Sequence, residues 1–247
     1  MEQGQYRIQS VQRAFELTEL LGRERELGVS ELSMLSGLNK TTVCRMLGTL
    51  ESLGYVEKNK RTGCYRLTLK LLTVASSCPS LGIKSRLRPS LRLLSDEFGE
   101  TVHLVERSGD SVVYIDKYES DRNSIRMVSR IGMSQDMTTT AVGKTLLAGE
   151  AEQEVLRVWN RTPHEAKTPF TITDYAAFTA ELEAVRRLGY AVDNEENETG
   201  VRCVARAVAD EFGELRYAVS VSAPAARMNE KKIIEIGKLV KNTAEII

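Results

Sequence analysis

The stretch SELSMLSGLNKTTVCRMLGTLESL, residues 30–53, sets the architecture of the amino-terminal part of this 247-residue chain. It predicts a short helix, a turn at Gly37 and a second helix that begins at Asn39, a favoured N-cap residue. Apolar residues recur at helical spacing in the second helix; they are Val43, Met46, Leu47, Leu50 and Leu53. One face of that helix is therefore expected to be buried, and the pattern predicts a helix-turn-helix.

The opposite face of the second helix is small, polar and basic. Its members are Thr41, Cys44, Arg45, Gly48 and Ser52, with Lys40 and Thr42 at the edges. A helix with two such faces can be buried on one side and enter the major groove of DNA with the other. We expect Thr41, Thr42 and Arg45 to contact base edges, and Lys40 to contact a phosphate.

The residues after this helix predict a basic β-hairpin. Two runs of β-forming residues, 55–58 and 64–67, flank a turn-rich loop that contains Gly63. Residues 36–75 hold seven Lys or Arg against two acidic residues, although the whole chain has a net charge of zero. Because lysines and arginines supply most sequence-independent affinity for DNA, we expect Lys58, Lys60 and Arg61 to contact phosphates.

Two less specific interpretations compete with this one. Helix pairs joined by a glycine turn also occur in helical bundles, and a basic hairpin can be ordinary solvated surface. A preceding helix, with Ser10 as its expected N-cap, would complete a three-helix core. The segregation of charge and the small outward face together favour a winged helix-turn-helix DNA-binding domain.

Charge divides the chain into three parts. Residues 1–75, 76–98 and 99–247 have net charges of +3, +2 and −5, so the third part is a poor ligand for DNA. Residues 76–98 have a helical apolar stripe that contains Pro89, and they are predicted to form a linker helix, kinked or restarted at the proline.

Composition bounds the class of protein. No apolar run approaches the ~18 residues of a membrane span, and the first residues lack the order of a signal peptide. The four cysteines have neither metal-site nor disulfide spacing. We therefore expect a cytoplasmic protein with no membrane partner, no metal and no cofactor.

The third part of the chain predicts an α+β fold. Its β-forming runs are 101–107, 112–118, 125–131, 189–194, 202–209 and 215–222. Its helical segments are 141–147, 152–159, 174–188 behind a Thr173 cap, and 229–246. This order is typical of an antiparallel sheet covered by helices.

Three patterns in this part can carry chemistry. The run TTTAVGKT at 138–145 ends like a P-loop, but Thr138 stands where that motif needs glycine, so nucleotide hydrolysis is rejected. The helix start there can still hold an anion through its free N–H groups. The acidic run 193–198 fits an acid–base site, a cation site or a solvated loop. Ser220 and Ser222 share one strand face, where they either donate to a carboxylate or face water.

Several motifs follow one another at characteristic spacing along the chain. They are VQRAF from residue 11, LNKTTVCRMLGTL from 38, GYV from 54, YRL from 65, GETV from 99, TAVGK from 140, GYAVD from 189, GVRCVA from 200 and VSVSAP from 219. In order and spacing the chain resembles the IclR family of bacterial transcriptional regulators over nearly its full length. The resemblance implies a winged helix-turn-helix, a linker helix and a GAF-like effector domain related to PAS folds.

The resemblance also implies partners and an effector site. Family members form homodimers through their amino-terminal domains, often pair into tetramers, bind palindromic operators in double-stranded DNA and respond to small metabolites. Carried over, the effector-binding residues would be Ala141 and Val142 through their N–H groups, Asp193, Cys203, Ser220 and Ser222, with Val201 as an apolar wall. We expect a sequence-specific transcriptional regulator controlled by a small carboxylate or sugar acid.

Two other classes of protein remain open. An enzyme would use Asp193, Cys203, His103 or His164, but nothing in the sequence places a base beside the Cys203 thiol to activate it. His103 lies in an alternating strand, which favours a structural role. An architectural DNA-binding protein would need no ligand at all. We expect a regulator without catalytic residues.

Overall fold

The structure is a computed structural model that describes residues 8–76, 80–123, 127–210 and 212–244, without the side chains of 80, 81 and 241–244. The chain divides into two compact units, Met1–Cys78 and Pro79–Ile247. Each unit has its own hydrophobic core, and the second unit has one on each face of its sheet.

The first unit is a winged helix-turn-helix. Its elements are α1 (Gln9–Glu24), α2 (Val29–Ser36), α3 (Lys40–Ser52), β1 (Val56–Lys58), β2 (Tyr65–Leu67) and α4 (Lys70–Ala75). The apolar stripe of α3 enters the core through Val43 and Leu47, which are both 0% exposed. Strands β1 and β2 form the predicted antiparallel hairpin.

Local signals in the first unit act as the sequence predicts, with one exception. Gly37 ends α2 at a φ of 69°, in the left-handed region that favours glycine. The Asn39 side chain accepts a hydrogen bond from the Thr42 N–H at 2.8 Å and so caps α3. The exception is Ser10, which lies inside the first turn of α1, because the N-cap position is held by Ile8, two residues before the predicted one.

The second unit is a six-stranded antiparallel sheet with helices on both faces. Its strands are β3 (Thr101–Ser108), β4 (Ser111–Tyr118), β5 (Ser134–Asp136), β6 (Ala191–Asn194), β7 (Val201–Ala209) and β8 (Leu215–Pro224), in the order β5-β4-β3-β8-β7-β6. Its helices are α5 (Ser80–Phe98), α6 (Ala141–Leu147), α7 (Glu152–Arg161), α8 (Tyr175–Leu188) and α9 (Glu230–Ala244). The predicted α+β class is confirmed.

Alternation along the central strand β8 separates the two faces of the sheet. Tyr217, Val219 and Val221 pack on the side of α5 and α9. Ala218 packs on the side of α6, α7 and α8, and Ser220 and Ser222 follow it on that face. Helix α5 continues through Pro89 and buries its apolar stripe against the sheet of the second unit.

The prediction of a strand at 125–131 is wrong: residues 127–131 form no strand. Residues 125 and 126 lie outside the described part of the chain. The backbone carbonyls of Met127 and Ser129 instead accept hydrogen bonds from Lys117 Nζ, at 2.7 and 2.8 Å. Gly132, at a φ of 86°, turns the chain into β5, which pairs with β4. Likewise, Asp174 rather than Thr173 caps α8.

Within the described residues, no helix is both long enough and apolar enough to span a lipid bilayer.

Candidate nucleic-acid interface and ligand cavity

The outer face of α3 is exposed as the sequence predicts. Lys40, Thr41 and Arg45 are exposed and Thr42 is half-buried, while the opposite face of the helix lies in the core. A Cβ added at Gly48 would meet no atom within 4 Å. No packing contact within the described part of the first unit therefore requires glycine at this position.

Hydrogen bonds to Glu26 hold the hairpin loop in place, and the basic side chains of the loop are exposed to solvent. Glu26 Oε1 accepts hydrogen bonds from Asn59 Nδ2 at 2.9 Å and from Thr62 Oγ1 at 2.5 Å. The hydrogen bond from Thr62 lowers the pKa of Glu26 below its ordinary value. Lys60 and Arg61 lie at the exposed tip. Lys58 is also exposed, and its ammonium lies 5.5 Å from the centre of the Tyr65 ring.

A row of polar residues crosses the face of the second unit's sheet on which α6, α7 and α8 pack. Asp193 on β6 pairs with Cys203 on β7, which pairs with Ser222 on β8. Cross-strand partners point to the same face, so these three side chains are neighbours. Ser220 lies on the same face and pairs with His103 on β3. This row is the floor of a cavity.

The cavity brings together every effector-binding residue carried over from the family resemblance. Ala141, Val142, Asp193, Val201, Cys203, Ser220 and Ser222 all line it. Its volume is about 80 Å³, so it admits only a small molecule.

The walls of the cavity contain residues that the sequence reasoning missed. They are His103, Tyr114, Met127, Val128, Ser129, Met133, Gln135, Thr140, Asn197 and Glu198. His103 is 2% exposed, and its Nε2 lies 2.7 Å from Ser129 Oγ. Strand alternation could have placed His103 on the face of Thr101 and Val105. No local signal shows that β8, more than a hundred residues later, lies beside it.

Helix α6 closes the cavity with its amino-terminal end. Thr140 caps the helix by accepting a hydrogen bond from the Gly143 N–H at 3.2 Å. The N–H groups of Ala141 and Val142 belong to the first turn, so they have no acceptor within the helix. They are free to donate to an anionic group in the cavity.

The cavity side chains are mostly neutral. Burial lowers the pKa of His103 to about 3, with the Lys117 charge adding to the effect, so the imidazole is uncharged at pH 7. Burial likewise raises the pKa values of the Tyr114 phenol and the Cys203 thiol above their ordinary values. Cys203 is therefore a thiol and a poor nucleophile. The pKa of Asp193 is raised by burial, and then by the Glu196 charge, to about 7.

The sequence GKT at 143–145, which resembles the end of a P-loop, serves the packing of the second unit. A Cβ at Gly143 would overlap the backbone of Met137. Lys144 is 0% exposed, and its Nζ donates hydrogen bonds to Glu196 Oε1 at 2.6 Å and to Glu181 Oε1 at 2.9 Å. Thr145 Oγ1 accepts a hydrogen bond from the Ala207 N–H on β7 at 2.9 Å.

Both units match known families. Residues 10–60 match the IclR helix-turn-helix domain, and residues 75–247 match the bacterial transcriptional regulator IclR C-terminal domain. The chain belongs to the IclR family of bacterial transcriptional regulators. It is therefore a DNA-binding transcriptional regulator and not an enzyme, which removes the alternative in which Cys203 or Asp193 is catalytic.

Known relatives and solved structures agree that this chain belongs to the IclR family. The HTH-type transcriptional regulator KdgR of Escherichia coli (strain K12) is 37% identical over 241 residues, 97% of this chain and 91% of that protein. The HTH-type transcriptional repressor AllR of the same strain is 31% identical over 220 residues, 89% of this chain and 81% of that protein. The IclR crystal structure from Thermotoga maritima is 34% identical and has a TM-score of 0.78, with 97% of each chain covered.

Proposed function

We propose that this IclR-family regulator is a repressor whose binding to operator DNA is controlled by a small carboxylate or sugar acid in the cavity of the second unit. The cavity itself is the main support. Residues from seven separate elements, α6 and the strands β3 to β8, surround one space of about 80 Å³. Small-ligand sites are typically concave, with a few convergent polar groups. The names of AllR and YiaJ, which are both called repressors, support the sign of the regulation.

The donors in the cavity fit a carboxylate. The N–H groups of Ala141 and Val142 and the hydroxyls of Ser220 and Ser222 can all donate to carboxylate oxygens, and hydrogen bonds to a charged acceptor are the stronger ones. Val201 supplies an apolar contact. The small volume favours an acid of a few heavy atoms over a large aromatic compound.

The first unit would bind the operator with α3 and the hairpin. Arg45 can donate two hydrogen bonds to a guanine, and Thr41 and Thr42 can contact neighbouring base edges. Lys40, Lys58, Lys60 and Arg61 would contact phosphates and set the position on the duplex rather than the sequence preference.

A palindromic operator requires two copies of the first unit. An exposed apolar surface on α1 and after α3 fits such a homodimer: Val11 is 50%, Phe15 62% and Leu53 52% exposed, and all three line one groove. Side chains this apolar are expected to be covered in a stable assembly. A dimer of dimers, a homotetramer, would need a second contact between the acidic units.

A regulator of this class acts on the bacterial chromosome and hence in the cytoplasm.

Control of DNA binding requires that the ligand bind two arrangements of the protein with different affinity. This requirement can be tested by adding a panel of small acids, namely acetate, glycolate, pyruvate and gluconate, to the full-length protein. We expect at least one to raise the melting temperature and to change the affinity for DNA from upstream of the protein's own gene. The double variant Ser220→Ala/Ser222→Ala should lose both responses, whereas Ser134→Ala, at an exposed position on β5, should keep them. A panel without any effect on either readout would contradict the proposal.

A further inference from the structure

Asp193 belongs to a cluster of charged side chains behind the cavity that contains more carboxyl groups than cations. Lys144, Asp193 and Glu196 are 0%, 3% and 5% exposed, and Glu181 on α8, with a side chain 31% exposed, accepts a hydrogen bond from the Lys144 ammonium. Among the described residues, this cluster therefore has one ammonium group against three carboxyl groups. Burying unbalanced charge is costly, and a carboxyl group in such a site usually holds a proton instead.

Hydrogen bonds show which groups the ammonium neutralises. Lys144 Nζ donates to Glu196 and Glu181 and also to the Val192 carbonyl, at 2.5 Å. These three acceptors use all the protons of an ammonium group. Glu196 Oε2 is buried without a hydrogen-bond partner in the described part of the chain. Even without Asp193, the cluster has two glutamate carboxylates and only one ammonium group.

Asp193 is the member of this cluster that faces the ligand space. Its Oδ1 accepts hydrogen bonds from the N–H groups of Glu196 and Asn197, at 2.8 and 3.4 Å. Its Oδ2 has no hydrogen bond to any described residue, and Asp193 lines the cavity. One oxygen is therefore held by the backbone, and the other is available to a bound molecule.

The other titratable groups around Asp193 do not supply the missing charge. The charged or titratable residues on the elements that face it are Lys144, Glu181, Glu196, Glu198, Cys203, Tyr114 and His103. Burial, followed by the Glu196 charge, raises the pKa of Asp193 to about 7, which outweighs the lowering by Lys144 and the two backbone N–H groups. Of these groups, Lys144 is the sole cation, and it is already bonded to the glutamates. Two further lysines contact the cavity wall, but Lys117 is paired with Glu119 and Lys167 is paired with Asp136.

We propose that the cavity takes its acid ligand together with a proton held by Asp193, whose neutral carboxyl group donates a hydrogen bond from Oδ2 to the ligand. This inference rests on the proposed effector function of the same cavity. A ligand carboxylate in so small a space lies close to Asp193, and a neighbouring negative charge strengthens proton binding further. The Glu196–Lys144 pair acts as the positioning group that keeps the Asp193 proton in place.

The affinity for the acid ligand should therefore depend on pH in a defined way. Below about pH 6 the proton is already present, and affinity is constant. Above about pH 8 the Asp193 carboxylate must take up one proton from solvent for each ligand that binds, so the dissociation constant rises about tenfold for each pH unit. Asp193→Asn imitates the protonated state, because the amide oxygen can accept from the backbone while Nδ2 donates to the ligand. We expect this variant to bind with no pH dependence.

Two measurements on the full-length protein test the inference. The first is a carbon-13 NMR titration of the aspartate carboxyl carbons without ligand, with Asp193→Asn to assign the signal and Asp96→Asn, on the exposed side of α5, as the control. The second is calorimetry at pH 8 with acetate, glycolate and pyruvate as probes, in buffers of different ionisation enthalpy, to count protons. We expect the Asp193 carbon to titrate near pH 7, and about one proton to be taken up per bound probe.

The outcomes separate this inference from the proposed function. An Asp193 carbon that titrates near pH 4, or a probe that binds without proton uptake, overturns the inference and leaves the effector function standing. Loss of binding in Asp193→Asn at pH 5.5 also overturns it, because an ionised acceptor would then be required. If no probe binds to the wild-type protein between pH 5.5 and 8.5, the proposed function is contradicted and the inference falls with it.

Discussion

Lys144 donates a hydrogen bond to Glu196 at 2.6 Å inside the second unit, where the two side chains are 0% and 7% exposed. The Glu196 and Glu181 carboxylates raise the pKa of Lys144 above its ordinary value, although burial alone would lower it. The contact joins α6 to the loop that follows β6. The same loop carries Asn197 and Glu198 into the cavity wall, so this buried pair supports the ligand site directly.

Removal of the Lys144 charge should therefore destabilise the second unit strongly. Lys144→Met keeps most of the side-chain volume but leaves Glu196 buried without its cation, which typically costs about 3–5 kcal/mol. Urea denaturation should show this loss. The matched control is Lys167→Met, because Lys167 pairs with Asp136 at 2.7 Å near the surface, with a side chain 35% exposed; it should cost at most ~1 kcal/mol. Equal losses in the two variants would refute the role assigned to Lys144.

Two glycines in helices should respond oppositely to alanine. At Gly143 the new methyl group would overlap the Met137 backbone, so Gly143→Ala should destabilise the second unit and weaken ligand binding. At Gly48 the methyl group would meet open space, and alanine should stabilise α3 by up to about 1 kcal/mol. Thermal unfolding of both variants checks the signs. A stabilising Gly143→Ala would mean that α6 does not approach Met137 closely.

Stability should depend on the protonation of Asp193. Its pKa in the folded protein is about 7 and its ordinary value is 3.8, so from pH 4 to 7 the folded state binds a proton that the unfolded state has lost. Stability therefore falls as pH rises through this window, by up to ~1.4 kcal/mol per pH unit. Asp193→Asn should flatten this part of the stability curve, measured by denaturant titrations at pH 4.5, 6 and 7.5, and Asp96→Asn should not. An unchanged slope in Asp193→Asn would show that the carboxyl titrates normally.

The roles proposed for Arg45 and Lys60 on DNA predict different kinds of loss. Arg45→Ala should cost about 1–3 kcal/mol on the cognate operator and relax the preference at one base pair. Lys60→Ala should weaken cognate and scrambled DNA alike and lower the salt slope by about one. Gel shifts on both sequences at several salt concentrations distinguish the two. If Arg45→Ala leaves the sequence preference intact, the base contact is assigned to the wrong residue.

Local chemistry made the first unit predictable. Gly37 and Asn39 are strong signals for a turn and a helix start, and the apolar period of α3 shows which face is buried. These signals lie within a few residues of the structure they specify. Helix boundaries are harder to predict, because several residue types can begin a helix: Ser10 and Thr173 are favoured N-cap residues, but Ile8 and Asp174 precede the helices.

The cavity was less predictable because its parts come from distant segments. The pairing of His103 with Ser220 is set by the sheet and not by either strand alone, so His103 was expected to be structural. The burial of Lys144 could not be seen either, since a lysine among small residues near a helix start is usually exposed. The helix start at 141, the acidic run from 193 and the serine pair were candidate sites on their own residues. That Ala141, Val142, Asp193, Val201, Cys203, Ser220 and Ser222 form one site was expected only through the family resemblance.

The central claim is that a small acid in the second unit controls DNA binding by the first. Its most direct test is the fluorescence anisotropy of a labelled duplex from upstream of the protein's own gene, titrated with full-length protein with and without the acid that gives the largest thermal shift. We expect salt-sensitive binding whose dissociation constant the acid changes at least tenfold, a response kept by Ser134→Ala and lost in Ser220→Ala/Ser222→Ala. Binding that the acid leaves unchanged, or that the double variant still regulates, would contradict it.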